Sequence, residues 1–180
     1  MSNFDFVPVL QVSAKWDKII YMEPVFTPKK DYFAPMHTTE HVLNQTMVRM
    51  FGCARSKNAH IEKNKSKCDF FLSQAPTSEQ IQELQEKVNE VLAQHLPVTQ
   101  KILSREEASR VAGLDFSKLP ADAGNELRIV FVGDYDACPC IGAHVENTSQ
   151  TGQFVISSWT FENGRLRIRF KLETKGNKYE

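Results

Sequence analysis

Hydrophobic positions along the chain change their spacing twice, and each change marks a different kind of element. Residues 1–34 hold short apolar runs, Phe4–Val12 and Lys18–Met22, broken by prolines, which predicts two or three short strands. After Pro35 the period becomes helical. Between His37 and about Phe51 there is no Gly or Pro, Leu43, Met47 and Met50 recur at helical spacing, and Gly52 stands where the helix should stop. Arg55 to Lys67 is polar and basic, a loop or a strand pair at the surface, and Cys68–Leu72 is a short strand.

Thr77 with Gln80 has capping-box spacing, and Ile81, Leu84, Val88, Val91 and Leu92 carry a helix to about His95, ended by Pro97. Ser104 with Glu107 repeats the box for a shorter helix closed by Gly113. From Glu126 the pattern turns to strands. Leu127–Gly133 is rich in branched residues, and Gln153–Phe161 and Arg165–Leu172 flank the turn signal Glu162-Asn163-Gly164. Arg165, Arg167 and Arg169 alternate with Leu166, Ile168 and Phe170, so the last strand has an arginine face and an apolar face. The expected fold is α+β, a mostly antiparallel sheet with packed helices. It divides into a short β extension (1–34), a main domain (35–172) and a polar, frayed tail (173–180).

Composition narrows the function without naming it. The chain has 180 residues, with 22 basic and 22 acidic side chains, so a tight nonspecific nucleic-acid binder is disfavoured while a local basic patch stays open. No window reaches the roughly 18 apolar residues of a membrane span. The N-terminus has no basic segment before an apolar one, so no secretory signal is expected and the cytoplasm is the expected address. Four cysteines, unevenly spaced, do not make a secreted disulfide framework, and the question becomes whether any is a metal ligand.

His37 and His41 stand four residues apart, about 40° apart around a helix, close enough to chelate one ion. The helix N-terminus there favours neutral imidazoles. Far along the chain Cys140 and His144 have the same spacing, with Gly142 allowing a tight turn. Thiolate and imidazole both suit zinc, and the four residues complete a tetrahedron. Thr38, Glu40, Cys138 and Gly142 stand around the ligands; Cys138 could substitute for Cys140, although its C-x-C spacing suits the site less well. Cys53 and Cys68 read as buried thiols, His60 and His95 as solvated structural residues. His37-Thr38-Thr39-Glu40-His41 also fits H-x-x-E-H, in which the glutamate of a zinc peptidase is general base, but the Cys140/His144 pair speaks against that. A closed four-ligand site could instead be structural, making the chain a zinc-stabilised tRNA- or protein-binding module.

Taken in order, these segments resemble the editing-domain family of alanyl- and threonyl-tRNA synthetases, including free-standing alanyl-tRNA editing proteins of the AlaX type in their short form. The resemblance runs from about Pro35 to Leu172. It rests on HTTEHVLNQTM and CIGAHVENTSQTG, supported by Val88-Asn89, the Leu96-Pro97-Val98 exit, the Ser104–Ala108 cap and Gly164–Ile168. It implies the fold of the domain common to those two synthetases, with His37, His41, Cys140 and His144 as zinc ligands. It further implies hydrolysis of the ester joining a wrong amino acid, such as serine, to the 3′ end of a tRNA of the alanine or threonine type. His37 and His41 would act through zinc-bound water. The expected partner is then the aminoacylated tRNA end, with no DNA or membrane. Arg55, Lys57, Lys63, Lys65 and Lys67 are the expected phosphate contacts, and Arg165, Arg167 and Arg169 a second candidate face. The family reads C-G-G-T-H or C-x-G-P-H where this chain has Ile141 and Ala143, so the hydroxyl that alanine-type members carry beside the metal is missing. A Gly-rich subdomain that precedes the H-x-x-x-H helix in longer members has no counterpart in residues 1–34, which contain no glycine.

Overall fold

The computed structural model describes residues 32–116, 119 and 123–173. The strands expected before Pro35 lie outside the described residues, apart from Tyr32, Phe33 and Ala34, and so does all but the first residue of the 173–180 tail. Helix α1 (Ala34–Phe51) is followed by β1 (Asn58–His60), β2 (Ser66–Phe71), α2 (Ser78–Leu92), β3 (Val98–Ser104), α3 (Arg105–Ser109), β4 (Glu126–Val132), β5 (Asp136–Pro139), a 3₁₀ turn at Thr148–Gln150, β6 (Gln153–Glu162) and β7 (Arg165–Glu173). The strands form two antiparallel sheets, ordered β1-β2-β7-β6 and β3-β4-β5. The α+β class is therefore as expected, with the sheet divided in two.

Strand alternation builds the main core. Cys68 and Phe70 on β2 pair in register with Ile168 and Leu166 on β7, and these residues, with Phe154 and Phe170, turn inward against Met36, Leu43 and Met47 of α1 and Leu84 and Val88 of α2. A second cluster joins Ala108 of α3 to Leu127 and Ile129 of β4. Helix α1 lies deep: nearly every residue from Met36 to Met47 is buried, including several polar ones. It starts at a proline, which suits a position whose N–H has no partner, and ends at Gly52, whose φ of 63° allows its N–H to reach the Val48 carbonyl. Both capping boxes form as expected, at Thr77/Gln80 and Ser104/Glu107.

Several boundaries differ from the sequence pattern. Arg55–Lys67 resolves as a strand pair, with β1 against the start of β2. Strands β3 and β5 carry no period-two signal: β3 is an edge strand with much of its side-chain surface exposed, and β5 has four residues ending in proline. Helix α2 stops at Leu92 because the chain turns through Ala93 and Gln94 into His95 at φ 54°. Helix α3 stops at Ser109, before Gly113.

The arginine face of β7 has an acidic partner on the neighbouring strand. Arg167 forks onto Asp69 of β2, Nε to Oδ1 and Nη2 to Oδ2, both at 2.7 Å, and Asn58 Nδ2 donates to Oδ2 at 2.9 Å. Hydrogen bonds from Arg167 lower the Asp69 pKa against the opposing effect of burial. A carboxylate with a lowered folded-state pKa contributes stability above its unfolded pKa of about 3.9, and that stability is lost as pH falls through the folded value. Urea midpoints measured from pH 6 to pH 2.5 should therefore fall more steeply at the acid end for the wild type than for Asp69→Asn.

Candidate metal centre

The two halves of the metal motif come from different layers. Helix α1 carries His37 and His41 on one face of its first turns, and the segment leaving β5 carries Cys140 and His144. One ligand atom from each of the four lies within 4.8 Å of the others, although they come from distant parts of the chain. Cys140 Sγ is 3.5 Å from His37 Nε2 and 3.4 Å from His144 Nε2. Zinc bonds of ~2.0–2.1 Å to nitrogen and ~2.3 Å to sulfur give a tetrahedral N–S edge of about 3.5 Å, so these separations fit that ion.

Each imidazole is held from behind. His37 Nδ1 lies 3.1 Å from the Ala143 carbonyl, and His144 Nδ1 lies 3.1 Å from Thr38 Oγ1, which also accepts from the Val145 N–H. The Ala143 carbonyl can only accept, so His37 Nδ1 donates to it and Nε2 is left facing the Cys140 sulfur. His41 Nδ1 is 3.2 Å from Asp136 Oδ2, close enough for a charged contact though the N–H is not aimed along it. Asp136 is in turn gripped by Arg55, Nη1 to Oδ1 at 2.5 Å and Nη2 to Oδ2 at 3.2 Å. Carboxylate, carbonyl and hydroxyl partners of this kind orient metal-binding histidines.

The electrostatics suit a cation. Burial alone would raise the Cys140 pKa, but hydrogen bonds from His144, His37 and His41 bring it down to about 2, so the sulfur is a thiolate. Burial, helped by the charges of His41 and His37, lowers His144 to about 4 against the pull of Cys140. For His41, contacts with Asp136 and Cys140 outweigh burial and raise its pKa well above the usual value. Asp136 stays ionised because His41 and Arg55 overcome its burial. A thiolate facing protonatable imidazoles is a ligand set that exchanges protons for metal.

Gly142 has a different role from the one its spacing suggests. Its φ is not positive; it is needed because the His37 ring lies where a side chain would start. A Cβ there would meet His37 Cε1 at 2.3 Å and Nδ1 at 2.6 Å. His37 is also stacked between the rings of Tyr32 and His144, at centroid distances of 4.4 and 4.2 Å. Arg128 on β4 braces the loop from below, Nη1 donating to the carbonyls of Cys140 at 2.7 Å and Gly142 at 3.0 Å while Nε donates to Gln100.

Other expected site residues are placed apart from the cluster. Cys138, on the same strand face as Asp136, is buried and keeps a raised pKa through that burial; the ligand group contains Cys140 and not Cys138. Glu40 is buried and accepts from Asn44 Nδ2 at 2.5 Å, outside the ligand group, which gives the H-x-x-E-H reading no free base. Among the expected phosphate contacts, Lys57, Lys63 and Lys65 are exposed and Lys67 is half-buried on β2. Arg55 requires correction: it is 6% exposed and committed to Asp136, because a buried carboxylate behind His41 needs a countercharge. Of the thiols expected to be buried, Cys68 is and Cys53 is half-buried; His60 and His95 are exposed, and His60 pairs with Glu62.

The sequence pattern did not single out Arg128, Tyr32 or the functional part of Asp136. Only Asp136 stood near a recognised motif, two residues before Cys138 and four before Cys140.

Residues 127–175 match the family described as threonyl and alanyl tRNA synthetase second additional domain. The alanine–tRNA ligase of Shouchella clausii is 32% identical over 141 residues, covering 78% of this chain and 16% of the ligase. That of Methanocella arvoryzae is 28% identical over 145 residues, covering 79% and 17%, and that of Treponema denticola 29% over 140 residues, covering 76% and 23%. The chain thus spans less than a quarter of the length of each of these relatives.

Two substitutions test this geometry. Gly142→Ala should displace His37 and lower zinc affinity at least about tenfold, measured by competition with a chromogenic chelator. Asp136→Asn should cost about 10–100-fold in the same titration, since His41 loses its charged support. Unchanged zinc affinity in either variant would contradict the arrangement described.

Proposed function

We propose that this chain, which carries a second additional domain of the threonyl- and alanyl-tRNA synthetase type, hydrolyses the ester between a wrong amino acid and the 3′ end of a tRNA. The convergence of His37, His41, Cys140 and His144 on one point is the observation that carries the reading. In it, those four residues hold zinc, and exposed Lys57, Lys63 and Lys65 with half-buried Lys67 contact the RNA backbone. A seryl ester is the natural substrate class, because serine, alanine and threonine differ too little in size for one binding step to sort them. The similarity to alanine–tRNA ligases favours the alanine-type tRNA.

Bound zinc supplies a Lewis acid and a means of lowering the pKa of a water molecule. The chain's own groups do the rest. Ala143 O, Thr38 Oγ1 and Asp136 keep the imidazoles aimed, and Arg128 keeps the Cys140–Gly142 loop in place. The missing family threonine is at Ala143, whose backbone carbonyl rather than its side chain supports His37. Ile141, 41% exposed between two of the ligands, offers an apolar surface that a polar amino-acid side chain would have to pass. A cleft of about 300 Å³ bordered by Gln100, Arg128, His144 and Glu146 opens beside the cluster and is the space proposed for the aminoacyl end.

A second reading has its own support. Four protein ligands close a zinc site in the manner of structural centres, which would make the chain a zinc-stabilised module that binds tRNA without cleaving it. Deacylation of seryl-tRNA of the alanine and threonine types by the metal-loaded protein separates the two. Cys140→Ala should lose zinc and lower hydrolysis at least about a hundredfold together. Hydrolysis retained without metal would overturn the mechanism, and a metal-loaded wild type inert on both esters would favour the binding module.

A further inference from the structure

A second surface adjoins the metal cluster on the side of the α1 N-terminus. Tyr32 stacks on His37, and the next residue, Phe33, is 37% exposed. Together with Pro35, Ile61, Glu62 and Lys63 these two rings border an open groove of about 540 Å³. The Lys63 ammonium, from the turn between β1 and β2, stands 5.7 Å from the centre of the Phe33 ring. Its one acidic neighbour in the groove among the described residues, Glu62, is paired with His60 Nε2 at 2.6 Å. Exposed Lys65 follows two residues on in the same turn.

An accessible aromatic ring with a lysine over it is the pairing by which proteins hold single-stranded nucleic acid: the ring takes a base face and the cation the adjoining phosphate. A duplex offers it only the outer face of its terminal pair, since its other bases are already stacked. We propose that this groove is a stacking platform for the unpaired 3′ end of an RNA, with one nucleobase on Phe33 and a flanking phosphate on Lys63. The inference rests on the reading of the metal cluster as a site for an RNA-borne ester, and it supplies the direction of approach. The strand crosses the groove, and its terminal nucleotide passes Tyr32 to reach His37. Phe33 and Lys63 are then specificity residues for single-stranded RNA and not part of the metal centre.

Binding of uncharged RNA hairpins to the zinc-loaded full chain tests the idea, comparing a hairpin with a four-nucleotide 3′ overhang against a blunt one. Phe33→Ala should weaken overhang binding about tenfold and leave blunt binding unchanged, whereas Phe33→Trp should restore it. Lys63→Ala should reduce the salt dependence of overhang binding by about one phosphate contact. Zinc content of both alanine variants should match the wild type, which separates a binding role from a folding defect. Equal affinity of Phe33→Ala and wild type for the overhang hairpin would overturn the proposal, as would equal losses on both hairpins or no preference for the overhang in the wild type. These titrations need no ester. A wild type that prefers the overhang through Phe33 yet leaves seryl-tRNA intact would keep the platform and remove the hydrolase, and the converse result would do the opposite.

Discussion

Burying helix α1 together with its polar side chains is the constraint on which the remaining structure depends. A buried polar group without a partner costs free energy comparable to a lost hydrogen bond, so each of these side chains recruits something. Thr39 and Thr46 turn back to carbonyls of their own helix, at Pro35 and Val42. Asn44 receives the Ser56 N–H and donates to Glu40, tying the helix to the approach to β1. Thr38, His37 and His41 instead reach the Asp136–Val145 segment. The segment that supplies Cys140 and His144 is held against α1 by the same contacts that orient the histidines.

That arrangement accounts for the otherwise costly group behind His41. Asp136 is buried and ionised, and Arg55 is buried with its Nε lacking a hydrogen-bond partner among the described residues. Removing either charge would leave the other uncompensated in a medium of low polarity. The pair therefore connects the start of the β1–β2 strand pair to the strand that leads into the metal loop. The basic turn and the metal cluster are thus linked through this ion pair, while Lys63 and Lys65 are exposed in the turn of that strand pair. On the far side Arg128 performs a related task with neutral partners, joining β4 to the loop through two carbonyls and to β3 through Gln100.

Departures from the family pattern look different once the backbone is in view. Ala143 and Ile141 occupy positions whose side chains point outward, whereas the contact that orients His37 is made by a main-chain carbonyl. A backbone contact survives a side-chain change. Gly142, common to both family patterns and to this chain, is where substitution meets a hard contact, because the His37 ring fills the space.

Local chemistry alone determined a good part of this protein. The i, i+4 pairs His37/His41 and Cys140/His144, the two capping boxes, the Gly52 stop and the alternation along β7 were each legible because spacing and turn residues act within a few positions. Tertiary structure decided what spacing could not reach. It split the expected sheet in two, made strands of the weakly patterned β3 and β5, and turned Arg55 from a surface cation into the countercharge of Asp136. It also brought Arg128 to the site. Contacts between residues separated by many positions depend on how layers pack, and a side chain's partner there leaves no trace in its own neighbourhood of the sequence.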